Sequence, residues 1–269
     1  MQPFIQSVLN SIVAGAVTLT SALGAGRAFE LFVISNLTEE LRSRGYDVWI
    51  RLSDGTDLRR TSPNLKFIQR SGAPGPLPPS SSGPNGPSVI CFRRPGSSSQ
   101  RHWEIWNGIQ FRGRSRGLHE YDVAIVPGEI ADAIRASGSG GAPLGRGWVA
   151  IECKDVASPG SLDEIRAFIA RLYDTTLLNG HAWYLGATPP TKRIYALDAL
   201  SLGMANTSKT YFRENRRTYA AIARTGSFSS GVSQLAEYYN IACFDNLRIP
   251  SQMAIFRSEI VDWIDSNMN

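Results

Sequence analysis

Lysine is scarce in this chain. Four are present (Lys66, Lys154, Lys192 and Lys209), and 24 arginines carry almost all the positive charge of a protein with formal net charge +5. Arginine's planar fork matches phosphate, so this balance leans toward an anionic partner. Cysteine is scarcer still: Cys91, Cys153 and Cys243 lie far apart, with no CxxC and no histidine at ligand spacing. That pattern excludes a small zinc module and a disulfide framework, and it fits a reducing, cytoplasmic setting. The three histidines, His102, His119 and His181, have no partner spacing that would favour a serine or cysteine triad. No GxxxxGK[ST] loop and no dinucleotide-type GxGxxG context occurs.

Charge is missing altogether from residues 1–26, which include "SIVAGAVTLTSALGAG". A signal peptide would need a basic leading region, which this segment lacks. A spanning helix would not carry Gln6, Asn10, Ser11, Thr18, Thr20 and Ser21. The segment therefore reads as a helix that is buried or faces a partner, and a membrane role is not expected.

What is present is enough for a full hydrophobic core: 269 residues, 42% of them hydrophobic. "SGAPGPLPPSSSGPNGPS" (71–88) can form neither a helix nor a central strand and reads as a mobile loop inside the domain. A second soft stretch is "ASGSGGAPLGRG" (136–147). Helices are expected at 26–45, stopped by Gly45, and at 158–178, where Ser161 and Glu164 have capping-box spacing. The stretches 208–225 and 251–266 also look helical. Strands are expected at 46–52, 88–94, 102–114, 120–127, 147–156 and 181–188. Two of these, "EYDVAIVP" and "GWVAIECKDV", are nearly continuous apolar runs, which marks central strands covered on both faces. The sum is an α/β protein with a mixed central sheet flanked by helices. Its parts are an uncharged helical segment (1–26), a core (27–188) and a mainly helical C-terminal part (189–269).

Inside one of those greasy runs sit Glu152 and Lys154. Side chains alternate along a strand, so these two project the same way while Ile151 and Cys153 face the opposite side. If "EYDVAIV" is a neighbouring strand, Asp122 can converge with them. Charges inside an apolar strand cost several kcal/mol unless paired or bound to a metal. Two carboxylates brought together raise each other's pKa, and a hard divalent ion such as Mg²⁺ relieves the conflict. A bound ion of this kind can acidify a water, and a neighbouring ammonium can stabilise an attacked phosphate.

This ordered set, Asp122 followed by Glu152-Cys153-Lys154, resembles the PD-(D/E)XK nuclease superfamily, whose restriction-endonuclease-like fold carries an Asp on one strand and an (Asp/Glu)-x-Lys on the next. Here Tyr121 stands where that pattern usually has Pro, and a long insert separates the leading helix from Asp122. The resemblance covers roughly residues 27–188 and implies a restriction-endonuclease-like core with inserted strands and extra N- and C-terminal helices. It implies a phosphodiesterase acting on nucleic acid, most readily DNA, with Mg²⁺ or Mn²⁺, as a homodimer or larger assembly; many members cut foreign DNA in microbial defence. Many also add a Glu from the helix before the sheet. Glu30 fits, because it shares a helix face with Ile34, Leu37 and Leu41.

The expected metal ligands are thus Asp122, Glu152, the Cys153 backbone carbonyl and Glu30, with Lys154 positioning the nucleophile. Glu120 lies on the same strand face as Asp122 and is the alternative ligand, although Asp122 sits deeper in the apolar run. Arg166, on the helix after the metal strand, is a candidate supporting residue. Arg112, Arg114 and Arg116 fall on one strand face, and Arg213, Arg216 and Arg217 cluster at helical spacing. Of these, Arg112, Arg114, Arg116, Arg213 and Arg217 are the candidate phosphate contacts; the bland reading of both groups is a solvated surface. Two other classes compete with the enzyme: a catalytically silent nucleic-acid-binding module of the same fold, and an assembly protein that docks through residues 1–26.

Overall fold

The computed structural model describes residues 1–21, 25–62, 65–74, 86–96, 101–113, 115–136, 141–143, 147–175 and 218–268. The expected strand at 181–188, together with Arg114, Arg213, Arg216 and Arg217, lies outside the described residues.

Among the described residues, eight strands form one mixed sheet. Its strands are β2 (Asp47–Arg51), β3 (Asp57–Leu58), β5 (Val89–Arg93), β6 (Trp103–Arg112), β7 (Leu118–Pro127), β8 (Val149–Lys154), β9 (Tyr219–Arg224) and β10 (Ile241–Phe244). Their order across the sheet is β10-β9-β8-β7-β6-β5-β2-β3. β7 runs antiparallel to both β6 and β8, whereas β9 is parallel to both β8 and β10. A separate parallel pair joins β1 (Thr18–Ser21) to β4 (Lys66–Gln69).

Helices cover both faces, which is why the central strands are apolar throughout. Val123, Ile125, Val149, Ile151, Ala221 and Ala223 pack with α1 (Gln2–Val13), α2 (Ala25–Ser43) and the last helix, α6 (Pro250–Asn267). Ala124, Val126, Ala150 and Ile222 pack on the other side with α3 (Gly128–Ala136), α4 (Leu162–Thr175) and α5 (Ser230–Tyr238). Each large side chain so buried contributes about 1.5–3 kcal/mol. Trp103 and Trp106 enter opposite cores, as their spacing requires. The capping box is formed: the Glu164 N–H donates to Ser161 Oγ at 3.3 Å and the Ser161 N–H to Glu164 Oε2 at 3.2 Å.

A break in β6 and β7 positions the polar residues. Ile105 and Val123 belong to the first core, yet Ile109 and Tyr121, also odd-numbered, belong to the second. The ladder pairs Asn107 with Val123 and Ile109 with Tyr121, so both strands change facing at the step holding Gly108 and Asp122. Gly108 has φ 64°, a left-handed conformation that glycine adopts without steric cost. A Cβ there would also lie 2.6 Å from Ser71 Oγ, because residues 71–74 dock on β6 through Gly72 N–H to Gly108 O (3.0 Å).

Two expectations are corrected. The stretch 208–225 reads as helical, but residues 219–224, "YAAIAR", form β9: alanine favours a helix, while the slot between β8 and β10 takes small side chains on both faces. Within the C-terminal part, the described residues add β9 and β10 to the sheet alongside the helices α5 and α6. The uncharged N-terminal segment is a helix followed by strand β1, with Ile5, Leu9 and Val13 buried in the first core. No helix among the described residues is long and apolar enough to cross a membrane.

Candidate functional site

The polar residues gather where β7 and β8 part. The last ladder pair before the site is Val123 with Ile151, so the next step sets Asp122 opposite Glu152. At that step a side chain enters the ladder: the Cys153 N–H donates to Asp122 Oδ2 at 2.7 Å. The Cys153 side chain packs in the first core, and its backbone N–H reaches the site through this bond.

Glu152 alternates with Ile151 and Cys153 and therefore points toward the α4 side. Its side chain is 6% exposed, and Oε1 accepts from Lys154 Nζ at 2.6 Å. Arg171 Nη2 lies 2.8 Å from Oε2, an ion pair that is not aligned as a hydrogen bond and leaves that buried oxygen without a hydrogen-bond donor. From the opposite layer, α2 brings in Glu30. Asn107 Nδ2 donates to Glu30 Oε2 at 2.5 Å and to the Asp122 backbone carbonyl at 3.1 Å.

Electrostatics ties these groups together. Burial, then Glu152, push the Asp122 carboxyl up to about 7, with a lesser push from Glu30, against the pull of the Cys153 N–H and, more weakly, of Lys154. Burial also raises Glu30, helped by Glu120 and Glu152 and opposed by Asn107 and Arg27. Burial alone would lower Lys154, but Glu152 and Asp122 outweigh it, so the ammonium is held more firmly than usual. Carboxylates that raise one another's proton affinity are a donor set that a divalent cation relieves. The buried, undonated oxygens Glu152 Oε2 and Asn107 Oδ1 fit the same demand.

Sequence reasoning named Asp122, Glu152 and Lys154, which lie together at the parting of β7 and β8, and Glu30, which joins Asp122 through Asn107. It missed Asn107 and Arg171. Arg166, the expected support on α4, is 64% exposed and pairs with Asp163 at the surface. Arg171 follows Phe168 by three residues on the buried face of that helix, and its continuation of the Ile165–Phe168 stripe is the signal that could have revealed it. Glu120, the alternative ligand, accepts from Ser71 Oγ at 2.7 Å, and Ser71 in turn accepts from Arg27 Nη2 at 3.1 Å. Arg112 and Arg116 do not share a strand face: β6 ends at Arg112, and Arg116 (φ 67°) sits in the hairpin turn, its carbonyl accepting from Arg112 Nη1 at 3.0 Å.

Among the described residues, one group of three places its ligand atoms all within 4.8 Å of one another, and it lies elsewhere: Cys91, His102 and Glu104. Its oxygens are already committed. Arg135 grips Glu104 with Nη1 to Oε1 at 2.7 Å and Nη2 to Oε2 at 3.0 Å, and Trp106 Nε1 adds a bond at 2.9 Å. Arg51 Nη1 sits 2.8 Å from His102 Nε2. Burial would raise Glu104, but Arg135 and His102 outweigh it and bring it to about 2, while burial keeps the Cys91 thiol protonated. Two guanidiniums occupy the position a cation would take, so this cluster is a structural ion network. Arg135→Met should cost about 3–5 kcal/mol, because it strands a buried carboxylate; urea denaturation measures it, and added Zn²⁺ should not restore the loss.

Comparison with protein-family models, curated proteins and solved structures finds no match for this chain.

Proposed function

We propose that the protein is a divalent-metal-dependent nuclease with a restriction-endonuclease-like core, hydrolysing phosphodiester bonds in DNA. One observation carries the reading: Asp122 and Glu152 take opposed positions where β7 and β8 part, with Lys154 bonded to Glu152, and Glu30 reaches Asp122 from the α2 layer through Asn107. Those are the residues and the order that the PD-(D/E)XK resemblance calls for. Asp122 and Glu152 would hold Mg²⁺ or Mn²⁺, with the Cys153 carbonyl and Glu30 completing or supporting its shell. Such an ion supplies charge neutralisation and an acidified water at neutral pH. The chain's own residues do the rest. Lys154, partly exposed and firmly protonated, orients the nucleophile and faces the scissile phosphate. The Cys153 N–H and Asn107 fix Asp122 and Glu30 before substrate arrives, and exposed Arg116 is available to phosphate on the hairpin.

The test is cleavage of plasmid and single-stranded DNA by the full chain with Mg²⁺, with Mn²⁺ and with EDTA. Cleavage that EDTA abolishes supports the reading; identical cleavage in EDTA rejects it. A second reading has an observation of its own. Lys154 and Arg171 together neutralise Glu152, as in a silent nucleic-acid-binding module. Salt-dependent DNA binding with no turnover in either metal selects that alternative.

A further inference from the structure

We infer that Asn107 is a further oxygen donor to the same cation, acting through its side-chain carbonyl either directly or through one bound water. The inference rests on the reading of Asp122 and Glu152 as cation ligands.

Asn107 is 4% exposed, on the strand step where β6 changes facing. The orientation of its amide is determined. Nδ2 is within bonding distance of the Glu30 carboxyl group (2.5 Å) and of the Asp122 backbone carbonyl (3.1 Å), which can only accept. A flipped amide would put an oxygen against both, so the nitrogen belongs where it is. Oδ1 is then fixed on the other arm of the same planar group, and it is buried with no donor among the described residues.

A buried acceptor left without a donor costs about 1–3 kcal/mol, and an apolar residue of similar shape would avoid that cost. Its amide nitrogen already ties it to Glu30 and to the backbone of Asp122, two of the proposed ligands, so its free oxygen belongs to the same cluster. An amide carbonyl adds a neutral oxygen to such a set, the donor type that hard divalent ions accept beside carboxylates. Asn107 thus has two roles on one side chain: the nitrogen holds Glu30 and Asp122 in place, and the oxygen faces the ion or its water. Sequence spacing could not reveal this, because the facing of Asn107 follows from the break at Gly108 and not from strand alternation.

The experiment measures Mn²⁺ binding and Mn²⁺-induced thermal stabilisation of the full chain, for wild type, Asn107→Ala, Asn107→Asp and Asp122→Asn. Removing a supporting group of this kind should weaken Mn²⁺ binding by about 10–100-fold in Asn107→Ala. Asn107→Asp gives the sharper signature. It sets a carboxylate against Glu30, so the metal-free variant should melt below wild type, yet Mn²⁺ should raise its melting temperature by more than it raises that of wild type. If Asn107→Asp melts lower by the same margin with and without Mn²⁺, or if Asn107→Ala binds Mn²⁺ as wild type does, Asn107 is not a donor and the inference fails alone. If Asp122→Asn also binds as wild type does, the cation site itself is misplaced and both readings fall. Should Asn107→Ala not fold, the Asn107→Asp comparison decides.

Discussion

Lys154→Ala is expected to lower Mg²⁺-dependent DNA cleavage by about 10²–10⁴-fold, the range for losing a positioned proton-transfer or charge-stabilising group. Stability should change far less. The ammonium is 31% exposed at the site mouth, and Arg171 remains 2.8 Å from the Glu152 carboxylate that Lys154 leaves. A cost of about 1–3 kcal/mol for the lost charge-assisted bond is the expectation. The two measurements separate catalysis from folding: initial rates of plasmid nicking at saturating Mg²⁺, and the melting temperature in EDTA. A variant that cuts like wild type removes Lys154 from the mechanism, whatever its stability.

Asp122→Asn should move activity and metal-free stability in opposite directions. Cleavage should fall by at least about 10²-fold, since a neutral amide is a poorer ligand and the ion contributes several kcal/mol of charge stabilisation. The fold should gain at alkaline pH. In the folded, metal-free protein Asp122 titrates near 7 against an ordinary 3.8, mainly from burial and next from Glu152. Between those values the folded state keeps a proton that the unfolded state has released. That contribution is fully present below about pH 4 and is lost as pH rises through about 7. Wild type in EDTA should therefore lose up to about 4 kcal/mol between about pH 4 and pH 8 from this group. The amide introduced by Asp122→Asn cannot ionise, and its carbonyl can still accept from the Cys153 N–H, so the variant should lack this part of the slope. At pH 8 the variant should be the more stable protein in EDTA, and Mn²⁺ should narrow the difference by stabilising wild type only. Denaturation at pH 4 and pH 8, with and without Mn²⁺, reads all of this; a variant less stable than wild type at pH 8 in EDTA contradicts it.

The parts of the molecule legible in the sequence are those where periodicity and burial say the same thing. The apolar runs around Asp122 and Glu152 could only be strands covered on both faces, and the structure has them as β7 and β8, with helices on each side. Alternation then fixed the facing of Glu152 and Lys154, and helical spacing fixed that of Glu30. Tertiary context decided the rest. "YAAIAR" has no pattern of its own, and only the parallel slot beside β8 makes it a strand. Alternation could not place Asn107, because the Gly108 step reverses facing on two strands at once. Arg171 was hidden because a sequence names a helix without saying which of its arginines reaches inward. Arg112 and Arg116 looked like one strand face because nothing in "FRGRSRG" marks the turn that begins at Gly113.

Everything in the functional account depends on a cation lying between β7 and β8. The most direct measurement is anomalous diffraction from a crystal of the full chain soaked in Mn²⁺. The account predicts a peak in contact with carboxylate oxygens of both Asp122 and Glu152, at about 2.0–2.2 Å as hard-ion coordination requires. A peak at Cys91, His102 and Glu104 with none at Asp122 would contradict it.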